Sequence, residues 1–132
     1  FSVMAHANGA ETVIAACEEK ADSIEHGAYL NEEALCAMAE AGTVWVPTLS
    51  TIGNLRGKGR FREGEVEKIL ESAMKNVRRF AALGGLIAPG TDAGAWAVPH
   101  GSLTEYPLLL EALGEDTDAL LEKGITVIRE KF

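Results

Sequence analysis

Residues 2–27 read SVMAHANGAETVIAACEEKADSIEHG, and the fold turns on them. A short apolar run from Ser2 to Ala5 stops at His6, Ala7-Asn8-Gly9 makes a turn, and Ala10, Val13, Ile14, Cys17 and Ala21 then recur at helical spacing. That is strand, turn, helix. The pattern restarts at once, because Ala21 to Glu25 forms a second short strand running into His26-Gly27. Two consecutive units of this kind predict parallel strands joined by helical crossovers, which places the chain among α/β folds.

Working outward, Asn31 caps a second helix whose first turn carries Glu32 and Glu33, suited to the positive helix end. Gly42 ends it in the left-handed conformation expected of a terminal glycine. Thr43 to Val46 is β-branched and aromatic, a third strand closed by Pro47. Residues 48–64 are Gly- and Arg-rich without sustained periodicity and read as the longest loop, a lid or substrate loop. Val66, Ile69, Leu70, Ala73, Val77, Phe80 and Ala81 make one apolar stripe on a helix from about Glu65 to Leu83. Leu86 to Pro89 is the fourth strand, and helices over about 104–113 and 117–131 finish the chain.

The chain has 132 residues, 47% hydrophobic and 24% charged, an ordinary globular composition. Twelve Lys+Arg against 20 Asp+Glu give a net charge of −8, which argues against nucleic acid as a partner. No apolar run approaches the roughly 18 residues of a membrane span, and no signal peptide opens the sequence. Cys17 and Cys36 lie on helical segments outside any CxxC pattern, so they read as reduced structural thiols in a cytoplasmic protein. The start at Phe1-Ser2-Val3, without Met, suggests a piece of something longer.

Three of the four strands end on, or run shortly into, a metal-capable side chain: His6, His26 and Asp92. Parallel strands direct their carboxyl ends to one rim, where α/β folds build their sites. Two imidazoles and a carboxylate there suit a divalent metal such as zinc, manganese or iron. Any one of them alone reads as an ordinary hydrogen-bonded residue, and Asp92 alone as a helix cap. Small neighbours in Gly90-Thr91-Asp92-Ala93-Gly94 leave room for water beside the carboxylate.

Val3-Met4-Ala5-His6-Ala7-Asn8-Gly9, Asp22-Ser23-Ile24-Glu25-His26-Gly27, Val44-Trp45-Val46-Pro47-Thr48 and Pro89-Gly90-Thr91-Asp92-Ala93-Gly94, in this order, resemble the amidohydrolase superfamily. Within it the chain is most similar to the branch of imidazolonepropionase-like enzymes and prolidase-type metal-dependent dipeptidases, from Val3 to about Ala112. The resemblance implies a (β/α)8 TIM barrel, of which residues 1–132 form the C-terminal half: strands five to eight in about four βα units, followed by C-terminal helices. A whole barrel takes about 250 residues. It implies that His6 ligates metal, that His26 ligates a second metal or hydrogen-bonds the substrate, and that Asp92 both ligates metal and shuttles a proton. The implied reaction is hydrolysis of a C–N bond in an amide, a cyclic amide or a dipeptide by water on one or two divalent ions, zinc first among them.

The His-x-His pair that the family carries after its first strand is absent, as is the carboxylated lysine of its fourth, so the isolated chain is expected to be inactive. His100, Trp96 and Tyr29 follow the strand ends and are candidates for substrate binding; each also reads as an ordinary loop residue. Arg56, Lys58, Arg60 and Arg62 suit a substrate carboxylate or a solvated loop. Glu25 is expected to point away from the site by strand alternation. The alternative to an enzyme fragment is a catalytically inactive half-barrel acting by association. Its open edges and unpartnered side chains, Val3, Ile24, Val44 and Ile87 or their neighbours, would pair with a second copy or with a complementary N-terminal half. A free-standing doubly wound binding domain is the third reading.

Overall fold

The computed structural model describes residues 1–94 and 96–132. Four strands, β1 (Met4–Ala7), β2 (Ser23–His26), β3 (Val44–Val46) and β4 (Leu86–Ile87), form one sheet in the order β1-β2-β3-β4, every neighbouring pair parallel. The intervening helices are α1 (Ala10–Glu18), α2 (Glu32–Ala41), α3 (Ser50–Gly53) and α4 (Glu63–Ala82). After β4 come α5 (Glu105–Leu113), a 3₁₀ turn over Gly114–Asp116, and α6 (Thr117–Lys131).

Strand order separates the two α/β alternatives. A doubly wound sheet reverses direction at a switch point and carries helices on both faces. Here each crossover steps the same way, and the register sets Ala5, Ile24, Trp45 and Ile87 side by side on one face. Ile24, Trp45 and Ile87 are almost wholly buried there, in one cluster with side chains of α1, α2, α4 and α5. Consecutive βα units with their crossover helices on a common face are the arrangement of half a (β/α)8 barrel.

Local signals explain the elements. The Asn31 side chain accepts from the Ala34 N–H at 3.0 Å, and Gly42 closes α2 with φ 68°. Along α4, Val66, Leu70, Met74, Val77 and Phe80 are buried at spacings of four and three, and the Phe80 ring meets Trp45 edge-on with centroids 5.6 Å apart. Ala73 of the same stripe packs against this core and also borders a cleft, whereas Ile69 lines the cleft. The stretch after Thr48 also departs from a plain loop, because α3 forms within it.

The other sheet face is covered in part by α6. Ile125, Val127 and Ile128 pack on Leu86, Val44, Val46 and Ala88. Gly124 lets the helix lie directly on β4, since a Cβ there would run into the Ile87 carbonyl. The end of α6 reaches the start of β1 and β2, where Lys131 Nζ bridges to Asp22 Oδ1 at 2.6 Å. This corrects the expectation of an uncovered inner face: Ile24 and Ile87 face the helices, and Val44 lies under α6. Val3 and Met4 do stay exposed, at 46% and 53%. No helix among the described residues is long and apolar enough to cross a membrane.

Candidate functional site

The carboxyl ends of the strands open onto a cleft of about 450 Å³ that includes His6, His26 and Asp92 in its lining, with Tyr29 and Thr48 beside them. Its walls are mainly apolar, from Pro47, Leu49, Ile52, Ile69 and Ala73, and α4 adds Lys68, Ser72 and Asn76. The cleft thus pairs a polar strand-end rim with an apolar flank.

The imidazoles of His6 and His26 stand edge to face, with ring centroids 4.5 Å apart. Simple alternation would not bring them together. The register pairs His6 with Glu25, and His26 would follow Ile24 onto the helix-facing side. His26 instead has φ 69°, a left-handed backbone that re-aims the ring. Glu25 therefore shares His6's sheet face, although its carboxylate is outside the cleft lining and accepts from Ser23 Oγ at 2.7 Å.

Two contacts and a glycine hold His26 in this conformation. Its Nδ1 is 2.8 Å from Thr48 Oγ1, which fixes the ring plane and couples the tautomer to the threonine hydroxyl. Its carbonyl accepts from Trp45 Nε1 at 2.9 Å. Gly27, with φ 58°, allows that approach, because a Cβ there would lie 2.6 Å from the indole nitrogen.

The strain is concentrated at this rim. Among the described residues, positive φ outside glycine occurs at Lys20, His26, Tyr29, Thr48 and Asp92, and all but Lys20 line the cleft. Each such residue costs about 1–3 kcal/mol, and strain of this kind persists where the surroundings impose it, often at functional sites.

Sequence reasoning names no site role for Thr48, which lies in the loop after β3 as Asp92 lies in the loop after β4. Its neighbours are anchored by Glu105 of α5, a buried carboxylate that accepts from Leu49 N at 2.9 Å and from Ser50 N at 2.6 Å. Burial pushes the Glu105 carboxyl up, and the hydrogen bonds from Ser50 and Leu49 oppose that shift. Leaving either buried N–H without an acceptor would cost about 1–3 kcal/mol. Nothing in the periodicity of α5 marks this residue.

His100 and Trp96 fall elsewhere. They line a neighbouring groove with Asn54, Arg56 and Lys58. The arginines of that loop are engaged locally: Arg56 makes a two-point bond to Glu67 at 2.8 and 2.9 Å, Arg62 lies 3.7 Å from Glu65, and Arg60 stacks over Trp96 at 4.6 Å. The cation lining the histidine cleft is Lys68, from a helix.

As a metal centre the rim is partial. His26, with one ring nitrogen held by Thr48, can present the other, and His6 is its neighbour, which is the chemistry of an imidazole ligand pair. Yet among the described residues no group of three or more His, Cys, Asp or Glu stands close enough to hold an ion. Asp92 shares the cleft without closing such a group around the two rings. These residues do not by themselves make a metal site.

No family model matches the chain. Uncharacterized proteins of Mycobacterium tuberculosis (strain ATCC 25618 / H37Rv) and Mycobacterium bovis are each 29% identical over 125 residues, covering 83% of this chain and 34% of their own length. The chain thus spans about a third of the curated relatives it matches. Among solved structures, a Xaa-Pro dipeptidase with methionine bound in its active site aligns with TM-score 0.77 and 27% identity, over 99% of this chain and 34% of that one. A prolidase complexed with N-methylphosphonate-L-proline gives 0.75 and 27%, over 98% and 32%. Ochratoxinase of A. niger gives 0.74 and 26%, over 93% and 28%. Over nearly all its length the chain is similar to about a third of these amidohydrolase-type hydrolases.

Proposed function

We propose that this chain is the strand-five-to-eight part, residues 1–132, of a metal-dependent hydrolase acting on C–N bonds in amides, cyclic amides or dipeptides. The observation that carries the reading is the convergence of His6, His26 and Asp92 on one cleft, in a chain similar to a Xaa-Pro dipeptidase and a prolidase. In this reading His6, His26 and Asp92 would offer donors to a divalent ion, zinc by its preference for imidazole, whose remaining ligands would come from outside these four strands and which would activate the attacking water. Asp92 accepts a proton from the water that adds to the scissile carbonyl and returns it to the departing nitrogen as the C–N bond breaks. Tyr29 borders the substrate, and the apolar flank receives its uncharged part. His100 and Trp96 contact substrate only if it extends into their groove. A cytoplasmic setting, with Cys17 and Cys36 as free thiols, belongs to the same proposal.

The test is hydrolysis of a panel of Xaa-Pro dipeptides and N-acyl amino acids by the chain alone and mixed with an N-terminal half-barrel of prolidase type. Activity is expected in the mixture and to fall at least about 100-fold in His6→Ala, His26→Ala and Asp92→Asn, the usual scale for losing a positioned acid–base group. Unchanged hydrolysis in all three would sink the reading.

A second reading, association without catalysis, draws support from the exposed Phe1, Val3 and Met4 beside β1, an edge strand of this sheet. A second copy or a complementary half-barrel would cover that edge. Sedimentation of the chain over a concentration series decides: a monomer at every concentration excludes self-association.

A further inference from the structure

The geometry assigns Glu105 the role of a positioning residue that holds the strand-end loops carrying His26 and Asp92 in register with each other. The inference rests on the reading of those two residues as parts of the site. It begins from where the Glu105 hydrogen bonds lead.

Glu105 lies on α5, outside the lining of the histidine cleft, and is 3% exposed. A carboxylate so placed needs donors, and it finds them in the backbone of Leu49 and Ser50. These two amides directly follow Thr48. Thr48 itself, with φ 48°, is a β-branched residue in a left-handed conformation that few sequences tolerate. The conformation is braced from both sides: the Thr48 carbonyl accepts from Thr51 N at 3.0 Å and from Thr51 Oγ1 at 2.9 Å, while the next two N–H groups are tied to Glu105. The braced threonine delivers its hydroxyl to His26 Nδ1.

A second arm starts from the same anchor. Ser50, whose N–H is bound by Glu105, donates its hydroxyl to the Thr91 carbonyl at 3.1 Å. Thr91 precedes Asp92, which also has a left-handed φ, 55°. One buried carboxylate therefore fixes the loop after β3, and that loop in turn holds the histidine that ends β2 and the peptide before the aspartate after β4. A neutral side chain of similar shape would still fill the space but would lose at least one of the two N–H acceptors.

The test reads His26 directly, in the full chain, by long-range ¹H–¹⁵N correlation of the imidazoles above their titration range. In the unaltered chain the Thr48 contact is expected to hold one tautomer, giving well-separated Nδ1 and Nε2 shifts. Glu105→Gln should make the two His26 shifts converge as tautomers exchange, move the Thr91 and Asp92 amides, and leave the His100 shifts in place. Thr48→Val should produce the same convergence at His26, and the double variant no more than Thr48→Val alone, as members of one pathway are non-additive. The proposal is overturned if Glu105→Gln leaves the His26 shift pair unaltered, or if Thr48→Val does. Where Glu105→Gln fails to fold, Glu105→Asp replaces it, keeping the charge while shortening the reach, and unaltered His26 shifts in that variant overturn the proposal equally. The hydrolase reading fails separately, through unchanged hydrolysis in all three of His6→Ala, His26→Ala and Asp92→Asn.

Discussion

Ile24 and His26 are two residues apart on β2 and follow opposite rules. Ile24 is wholly buried among helices, in extended backbone whose alternation sends it to the core. His26 breaks the alternation with φ 69° and turns its ring toward His6. The contrast extends across the sheet: the row Ala5, Ile24, Trp45 and Ile87 is apolar and unstrained, whereas the rim beyond it carries His26, Thr48 and Asp92 in left-handed backbone. The buried face supplies the free energy that allows the rim to be held in conformations it would not adopt alone.

Phe80→Ala attacks the buried side only and should have the largest effect. Phe80 is fully buried against Trp45, and its truncation is expected to cost about 3–5 kcal/mol, seen as a lower midpoint in urea. The His26 imidazole shifts of the remaining folded fraction should be unaltered; a change there would mean that the two regions are not separable.

Gly27→Ala tests the seam between them. The added Cβ would meet the Trp45 indole nitrogen in a backbone already at φ 58°, so a loss of about 1–3 kcal/mol is expected, with a shift of the indole N–H resonance as its bond to the His26 carbonyl breaks. A silent substitution would show that the indole contact does not hold His26.

Asp92→Gly asks whether the rim is strained for function. Glycine relieves the left-handed φ, so the thermal midpoint should rise, by up to about 1 kcal/mol in stability, while hydrolysis by the complemented protein is lost. A fall in stability would mean that the carboxylate contributes more to the fold than its backbone costs.

The smallest effects concern pH. The hydrogen bond from Lys131 holds the Asp22 carboxyl below its ordinary range, helped by the Val3 N–H, and the Arg79 guanidinium does the same for Glu32. A carboxyl depressed in the folded state stabilises above its unfolded pKa and loses that contribution as pH falls through the folded value. Glu32 is exposed and Asp22 sits at the surface, partly covered and paired with an exposed lysine, so the acid-side decline from them should be slight and should flatten in Asp22→Asn. Glu105 has the opposite sign. Its raised carboxyl keeps a proton that the unfolded chain releases, so its contribution is full at low pH and is lost as pH rises from the ordinary glutamate range through the raised value. Urea midpoints of the unaltered chain and of Glu105→Gln across that range should diverge accordingly.

The strand-turn-helix rhythm, the Asn31 and Gly42 caps and the run of parallel crossovers could all be read from residue order, because each is a local property of a few neighbours. So could the candidacy of His6, His26 and Asp92, since parallel strands send their ends to one rim whatever the packing. Other features depend on atoms far apart in sequence. That Ile69 turns from the stripe of α4 to the cleft, and that α6 rather than a neighbouring chain covers Val44, depends on how elements dock. The left-handed turn at His26 overrides alternation only because Thr48 and the Trp45 indole, about twenty residues downstream, hold it there. Glu105 is linked to Leu49 and Ser50 across more than fifty residues, and in the linear sequence it is an ordinary helix-start acid. Local order determined which residues reach the rim; packing decided how they are aimed, because a side chain's direction is settled by the distant groups that bond it.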